Sequence, residues 1–258
     1  MRGQIVAKFL VRAFAVALLA AIAAFTWWAW QLFHGKPHSV DAMATRQFVQ
    51  YLASDPESLS SLGLIDGSLL DFHSGRLSPR TQQELDRRDA VVARFRRELE
   101  RFDPERLAPD QRLTYDIWRW WLDAEIEASA PFYAAPLGDP YVVSQFGIHA
   151  SFPEYMTTTH ALSNPKMARN YIKRLDAFPQ AVDETIALFE DHAARGVMAP
   201  RVILERVIAD IDKFTASAPP ENVLVSSMRS RMEKSGAFPV ASVNDFALQA
   251  SDRVEKSV

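Results

Sequence analysis

The sequence predicts an all-α protein, and three observations carry that reading. Apolar residues recur at spacings of three and four in segment after segment, as one buried face of a helix requires. Several segments open on a proline preceded by a capping residue, as in Asp55-Pro56, Ser78-Pro79 and Asn164-Pro165. No stretch of useful length alternates apolar and polar residues as a half-buried strand would.

The first element is the most apolar. From Ala13 to Phe33 only Thr26 and Gln31 are polar, long enough for a helix to cross a hydrocarbon core of about 30 Å. Arg2, Lys8 and Arg12 precede it, which places the N-terminus in the cytoplasm and the body outside. Trp27, Trp28 and Trp30 stand at its far end, where indoles favour the membrane interface. The expectation is a single-pass anchor in the inner membrane, so that one partner is the lipid bilayer. Cleavage near Ala21-Ile22-Ala23, with secretion of the body, is the alternative. Residues 1–38 then form leader, anchor (13–33) and linker, and residues 39–258 the helical body.

Within the body, Ser39 caps a helix with apolar positions Val40, Met43, Phe48, Tyr51 and Leu52, and Asp55-Pro56-Glu57 restarts a short one. Gly63 to Arg76 reads as irregular. Ser78-Pro79 opens a long helix to about Phe102 on Leu85, Val92, Phe95 and Leu99. The next runs to about Ala128, with Leu113, Ile117, Trp120, Trp121 and Ala124 expected in the core. Pro140 to Ser163 reads as the longest irregular passage of the body. Asn164-Pro165 then starts a helix that Phe178-Pro179 is expected to break. Its successor stops at Gly196, and Ala199-Pro200 opens another on Leu204, Val207, Ile208, Ile211 and Phe214. After Ala218-Pro219-Pro220, Met228, Met232 and Phe238 give weaker periodicity. Amphipathic spacing resumes at Phe246, Leu248 and Val254 and runs on to Val258 without a stop signal.

Composition removes several function classes. A formal charge of −3 and a pI near 6.1 offer no basic field for nucleic acid. With no cysteine the chain has no disulfide, thiol nucleophile or thiolate zinc site. None of the six histidines is followed by Glu, so a zincin pair is missing. No G-x-S-x-G elbow, phosphate loop or dinucleotide fingerprint occurs. The residues therefore nominate no catalytic or metal-binding group. Gln145, His149, Tyr155 and His160 are the candidates to line a cleft along the central stretch, and a metal held by His149 and His160 is the minor alternative.

The central stretch carries a resemblance. Gln145-Phe146-Gly147, Phe152-Pro153-Glu154-Tyr155-Met156-Thr157-Thr158-Thr159-His160, Ala168 to Leu175, Phe178-Pro179, Gly196 to Arg201 and Leu204 to Ile208 resemble the bacterial family called domain of unknown function 885. The helix holding Asp116-Ile117-Trp118-Arg119-Trp120-Trp121-Leu122 is also similar, so the likeness spans about Val40 to Val258. One departure is Ala161, where the family usually has Pro. The resemblance implies an all-α, zincin-type metallopeptidase fold in relatives more than twice as long. Their zinc motif, His-Glu-x-x-Pro-Gly-His-His, lies in a C-terminal half. It follows that this chain is expected to be a membrane-anchored N-terminal fragment, inactive alone, with zinc only in full-length relatives and a missing C-terminal half as a partner. A non-catalytic periplasmic binding or scaffold domain is the alternative.

Overall fold

In the computed structural model, which describes residues 2–34, 37–129 and 142–257, the described residues form ten α-helices and no strand. The helices are α1 (Arg2–His34), α2 (Val40–Ala53), α3 (Pro56–Leu62), α4 (Gln82–Leu99), α5 (Pro109–Ala128), α6 (Ile148–Glu154), α7 (Pro165–Ala194), α8 (Arg201–Thr215), α9 (Val223–Ser235) and α10 (Val240–Ser257). The chain divides into two compact units, Met1–Gln50 with Phe95–Leu122, and Tyr51–Arg94 with Asp123–Val258.

The first unit is held by a polar brace. Gln47, fully buried on α2, donates from Nε2 to the Phe95 carbonyl (3.2 Å) and to Glu98 Oε2 (2.9 Å), both on α4. Its Oε1 accepts from Trp118 Nε1 on α5 at 2.6 Å, and Arg46 pairs with Glu98 at 2.9 Å. Val40, Met43, Phe95, Leu99, Tyr115 and Leu122 fill the apolar space around it. The α5 expectation is corrected here. Leu113, Ile117 and Trp120 are 62, 55 and 65% exposed, because the brace turns Tyr115, Trp118 and Leu122 inward instead.

On α1, every described side chain from 12 to 27 is exposed, including Trp27, and so is Trp30; the side chain of Trp28 lies outside the described residues. Among the described residues no helix is both long and apolar enough to cross a membrane.

The second unit is built on α7, whose face Met167, Tyr171, Leu175, Phe178 and Ala181 is buried. Each large apolar side chain removed from water contributes roughly 1.5–3 kcal/mol before entropy is counted. Phe178 stacks on Phe152 of α6 (centroids 4.1 Å apart), and Leu224, Met228 and Met232 of α9 with Phe246, Ala250 and Val254 of α10 complete the core. Asn164 caps α7 through Lys166 N and Met167 N, and the helix ends past Ala194 at Gly196, whose φ of 79° suits glycine. The break expected at Pro179 does not occur: the 30-residue α7 runs straight through it. An interior proline costs about 3 kcal/mol, and the buried face on either side of it offsets that loss.

Two further boundaries differ from expectation. The α4 helix starts at Gln82 and not at Ser78, because Ser78 is engaged elsewhere: its hydroxyl donates to Asp55 and its N–H to Glu57. Thr81 caps in its place, accepting from Glu84 N at 3.2 Å. The passage expected to be irregular is helical from Ile148 to Thr159, where a π-turn (Tyr155–Thr159) follows α6. There the His160 amide bonds back five residues to the Tyr155 carbonyl, and Thr157 and Thr158 hydroxyls donate to the carbonyls of Pro153 and Glu154.

Candidate functional site

Three neighbouring β-branched threonines and a proline without an N–H weaken the ordinary i→i−4 ladder, and the chain answers with the π-turn. Such turns are rare and concentrate at functional sites. This one forms a wall of a cleft of about 340 Å³, lined by Glu57, Arg80, Ser151, Glu154, Tyr155, Thr158 and Thr159. Arg80 braces the rim: Nη2 lies 3.3 Å from both Glu57 oxygens and Nη1 donates to the Ser78 carbonyl at 2.9 Å. The Arg80 N–H donates to Glu184 on α7 at 2.8 Å. The Thr158 hydroxyl proton goes to the Glu154 carbonyl, so its oxygen faces the cleft as an acceptor beside the Glu57 and Glu154 carboxylates, while Arg80 and the hydroxyls of Ser151, Tyr155 and Thr159 are able to donate.

Beneath the wall lies Arg174, fully buried on α7. Its Nε donates to the Arg76 carbonyl (2.9 Å), Nη1 to His160 Nδ1 (2.7 Å) and Nη2 to Ser60 Oγ (2.9 Å). The guanidinium also sits 4.8 Å from the Tyr155 ring centroid. All three hydrogen-bond acceptors are neutral. Burial pulls the Arg174 pKa down, while Tyr155, Glu57 and Asp66 work in the other direction.

A guanidinium only donates, so His160 Nδ1 must accept and its proton sits on Nε2, which donates to the Met167 carbonyl at 3.0 Å. Burial, reinforced by the Arg174 charge, holds the His160 pKa at about 3. His160 is thus a neutral structural link, edge-on to Tyr171 (5.2 Å). On the other side Arg231 of α9 donates to the carbonyls of Met156 and His160, tying down the end of the π-turn.

A second polar knot lies at the start of α7. Asp71 accepts from Gly67 N (2.8 Å), Ser74 N (3.0 Å) and Ser74 Oγ (2.7 Å), with Lys166 Nζ 3.6 Å away. Burial alone would raise the Asp71 pKa, but these hydrogen bonds and the Lys166 charge outweigh it and bring it to about 2. Buried His73 lies 2.7 Å from Asp66 and 3.4 Å from Asp71. The loop closes so tightly that a Cβ on Gly67 would stand 2.6 Å from Asn164 Nδ2, at a φ of 71°.

Of the four residues expected to line a cleft, Tyr155 lies in the wall described above. His160 is underneath it, with both ring nitrogens engaged by the Met167 carbonyl and the Arg174 guanidinium. Gln145 is exposed in the turn before α6. His149 stands in the first turn of α6, its Nε2 buried without a hydrogen-bond partner and its pKa lowered by burial. Among the described residues no group of three His, Asp or Glu side chains is placed to hold a metal.

Sequence reasoning missed Arg174, although a signal was present. Met167, Tyr171, Arg174 and Phe178 are spaced four, three and four, so an arginine occupies a core position of an apolar stripe. Glu57, Arg80 and Glu154 left no comparable trace.

Comparison with known proteins gives the fold a context. A crystal structure described as "the putative lipoprotein from Colwellia psychrerythraea" superposes with a TM-score of 0.66 at 16% identity. The match covers 84% of this chain and 39% of that one, so this chain spans well under half the length of that structure. No curated protein matches. The model of the family described as bacterial protein of unknown function, DUF885, matches residues 56–257, which include the cleft wall, α7 and both polar knots. On that match the chain belongs to the DUF885 family.

Proposed function

We propose that this protein is a membrane-tethered helical domain that supplies one wall of a hydrolase-type substrate cleft, the metal-bearing wall coming from a further helical region. The observation that carries this reading is the π-turn Tyr155–Thr159, set over the buried Arg174–His160 link and opening its Thr158 and Thr159 side chains to a polar cleft. A firmly held wall that carries both acceptors and donors suits a ligand that offers both, such as the backbone of a peptide. The resemblance to zincin-type relatives supports the same substrate class. The 39% of the Colwellia chain that is matched leaves room in that fold for a second, complementary part. The apolar run 13–33, with its described side chains exposed, supports the anchor, and the basic residues before it favour the body on the outer side of the inner membrane. The lipoprotein description of the Colwellia structure fits that side.

The DNA that follows the Val258 codon tests the reading. A continuation in any frame encoding His-Glu-x-x-Pro-Gly-His is expected, and its absence, together with absence of such a gene nearby, overturns it.

A non-catalytic binding or scaffold domain is the second reading, favoured by the continuity of the second unit's core. That core runs without interruption from Phe152 to Val254 through α6, α7, α9 and α10. On this reading residues 39–258 unfold in one cooperative transition as a soluble protein; aggregation on expression, or a broad transition, sinks it.

A further inference from the structure

Leu113, Ile117 and Trp120 stand four and three residues apart on α5, so they form one stripe along the helix. All three are more than half exposed, while Tyr115 and Leu122 face inward and Trp118 is pinned to Gln47. Phe48 and Val49 of α2, in the same compact unit, are 47 and 41% exposed. This unit also contains α1.

Chain length limits where the unit can be. From His34, the last residue of α1, to Val40, the first of α2, an extended chain reaches roughly 20 Å. The α2 helix is hydrogen-bonded to α5 through Gln47 and Trp118. If α1 spans the bilayer, α5 is therefore held close to the outer surface. A stripe of three side chains would bind lipid weakly by itself, but a short tether keeps its local concentration high. Its make-up suits the interface, with a tryptophan following two aliphatic residues. The flanking charges are mixed: Arg112 pairs with Asp116 at 2.9 Å. The contact therefore does not depend on anionic headgroups.

We infer that α5 is a second membrane contact, lying in the plane of the zwitterionic bilayer surface with Leu113, Ile117 and Trp120 in the interface. This rests on the anchor proposed above. Because the chain has no cysteine, a single introduced thiol can report each position. The full chain is reconstituted in phosphatidylcholine vesicles as Ile117→Cys, Leu19→Cys or Glu105→Cys, each labelled with an environment-sensitive fluorophore. Phosphatidylcholine spin-labelled near the top of its acyl chain is then added as quencher. Leu19 reports the anchor, and Glu105, with a side chain 84% exposed, reports solvent. Quenching at Ile117 at least twofold stronger than at Glu105, and unchanged when phosphatidylglycerol is included, is the expected result. Quenching at Leu19 with none at Ile117 overturns the α5 contact alone. A blue-shifted but unquenched Ile117 label also overturns it, by showing cover from a second copy or another protein. Loss of quenching at both Leu19 and Ile117 removes the anchor reading and this inference with it. Ile117 is exposed, and a helical circular dichroism spectrum matching the parent's controls for folding of the variant.

Discussion

Two polar networks cross this molecule, and they solve different problems. The Gln47 brace joins three regular helices through a neutral amide, and its one arginine, Arg46, has a carboxylate partner in Glu98. The Arg174 hub buries a cation among neutral acceptors and joins α7 to the irregular backbone at Arg76, to the Ser60 hydroxyl of α3 and to the His160 ring at the end of the π-turn. Regular helices already satisfy their own backbones, so the brace needs only to set which faces meet. Irregular backbone must find partners elsewhere, and one guanidinium with five donors serves the Arg76 carbonyl while it fixes the His160 ring and the Ser60 hydroxyl. The cost is a charge buried without a close counter-ion. That cost falls beside the cleft, where a rigid wall is useful.

The strongest way to break the contrast is Arg174→Met. It leaves the buried His160 Nδ1 and Ser60 Oγ, and the part-buried Arg76 carbonyl, without their donor, and each such buried loss costs about 1–3 kcal/mol. A drop on the order of 4 kcal/mol is expected from urea unfolding followed by far-UV circular dichroism. A loss below about 1 kcal/mol would mean that the hub is not holding the wall.

Acidification separates the hub from its surroundings. The His160 pKa falls from 6.5 in the unfolded chain to about 3 in the folded one, so the unfolded state takes up the proton first. The stability associated with a neutral His160 is complete above pH 6.5 and is lost as pH falls from there toward 3. The steep part runs at about 1.4 kcal/mol per pH unit. Asp71, lowered from 3.8 to about 2, contributes stability that is present above pH 3.8 and lost below it. In His160→Gln the slope between pH 6 and 4 should flatten while the lower one remains; an unchanged slope between pH 6 and 4 would refute the neutral, buried assignment.

Gln47→Ala tests the brace with a smaller effect, about 2 kcal/mol, since the Phe95 carbonyl and Trp118 Nε1 each lose a partner. All six tryptophans (27, 28, 30, 118, 120 and 121) lie in the first unit, so intrinsic fluorescence reads that unit alone. The fluorescence transition should move more than the circular dichroism transition. Equal shifts would show that the two units unfold together. The smallest effect belongs to Asn164→Ala, which removes the α7 cap at about 1 kcal/mol and should leave the tryptophan signal at its parent midpoint.

Local chemistry made much of this fold readable. The caps at Ser39, Asp55 and Asn164 and the stop at Gly196 stand where the sequence put them, because each depends on a side chain and the few residues around it. The all-α class and DUF885 membership were legible for a similar reason: periodicity and motif order are linear properties. What failed was always a competition between local preference and a distant partner. Pro179 signals a break, yet the buried face of α7 carries the helix through it. Ser78 signals a cap, yet Asp55 and Glu57 engage it from more than twenty residues away. Leu113, Ile117 and Trp120 make as good an inward stripe as the face that was buried, and the choice rests on tertiary partners: the Trp118–Gln47 bond and the burial of Tyr115 and Leu122.

The site shows the same division. The sequence by itself determined that helices would form, where most begin, and which family the chain belongs to. Tertiary structure alone decided that His160 is a neutral link beneath the cleft, that Arg174 is the hub, and that Glu57 and Arg80 line one cleft with Thr158. Helix starts are settled by contacts three or four residues apart. A cleft is settled by contacts across 14 to 114 residues, as Arg174 shows with His160 and Ser60, and no local pattern records which of those partners will meet.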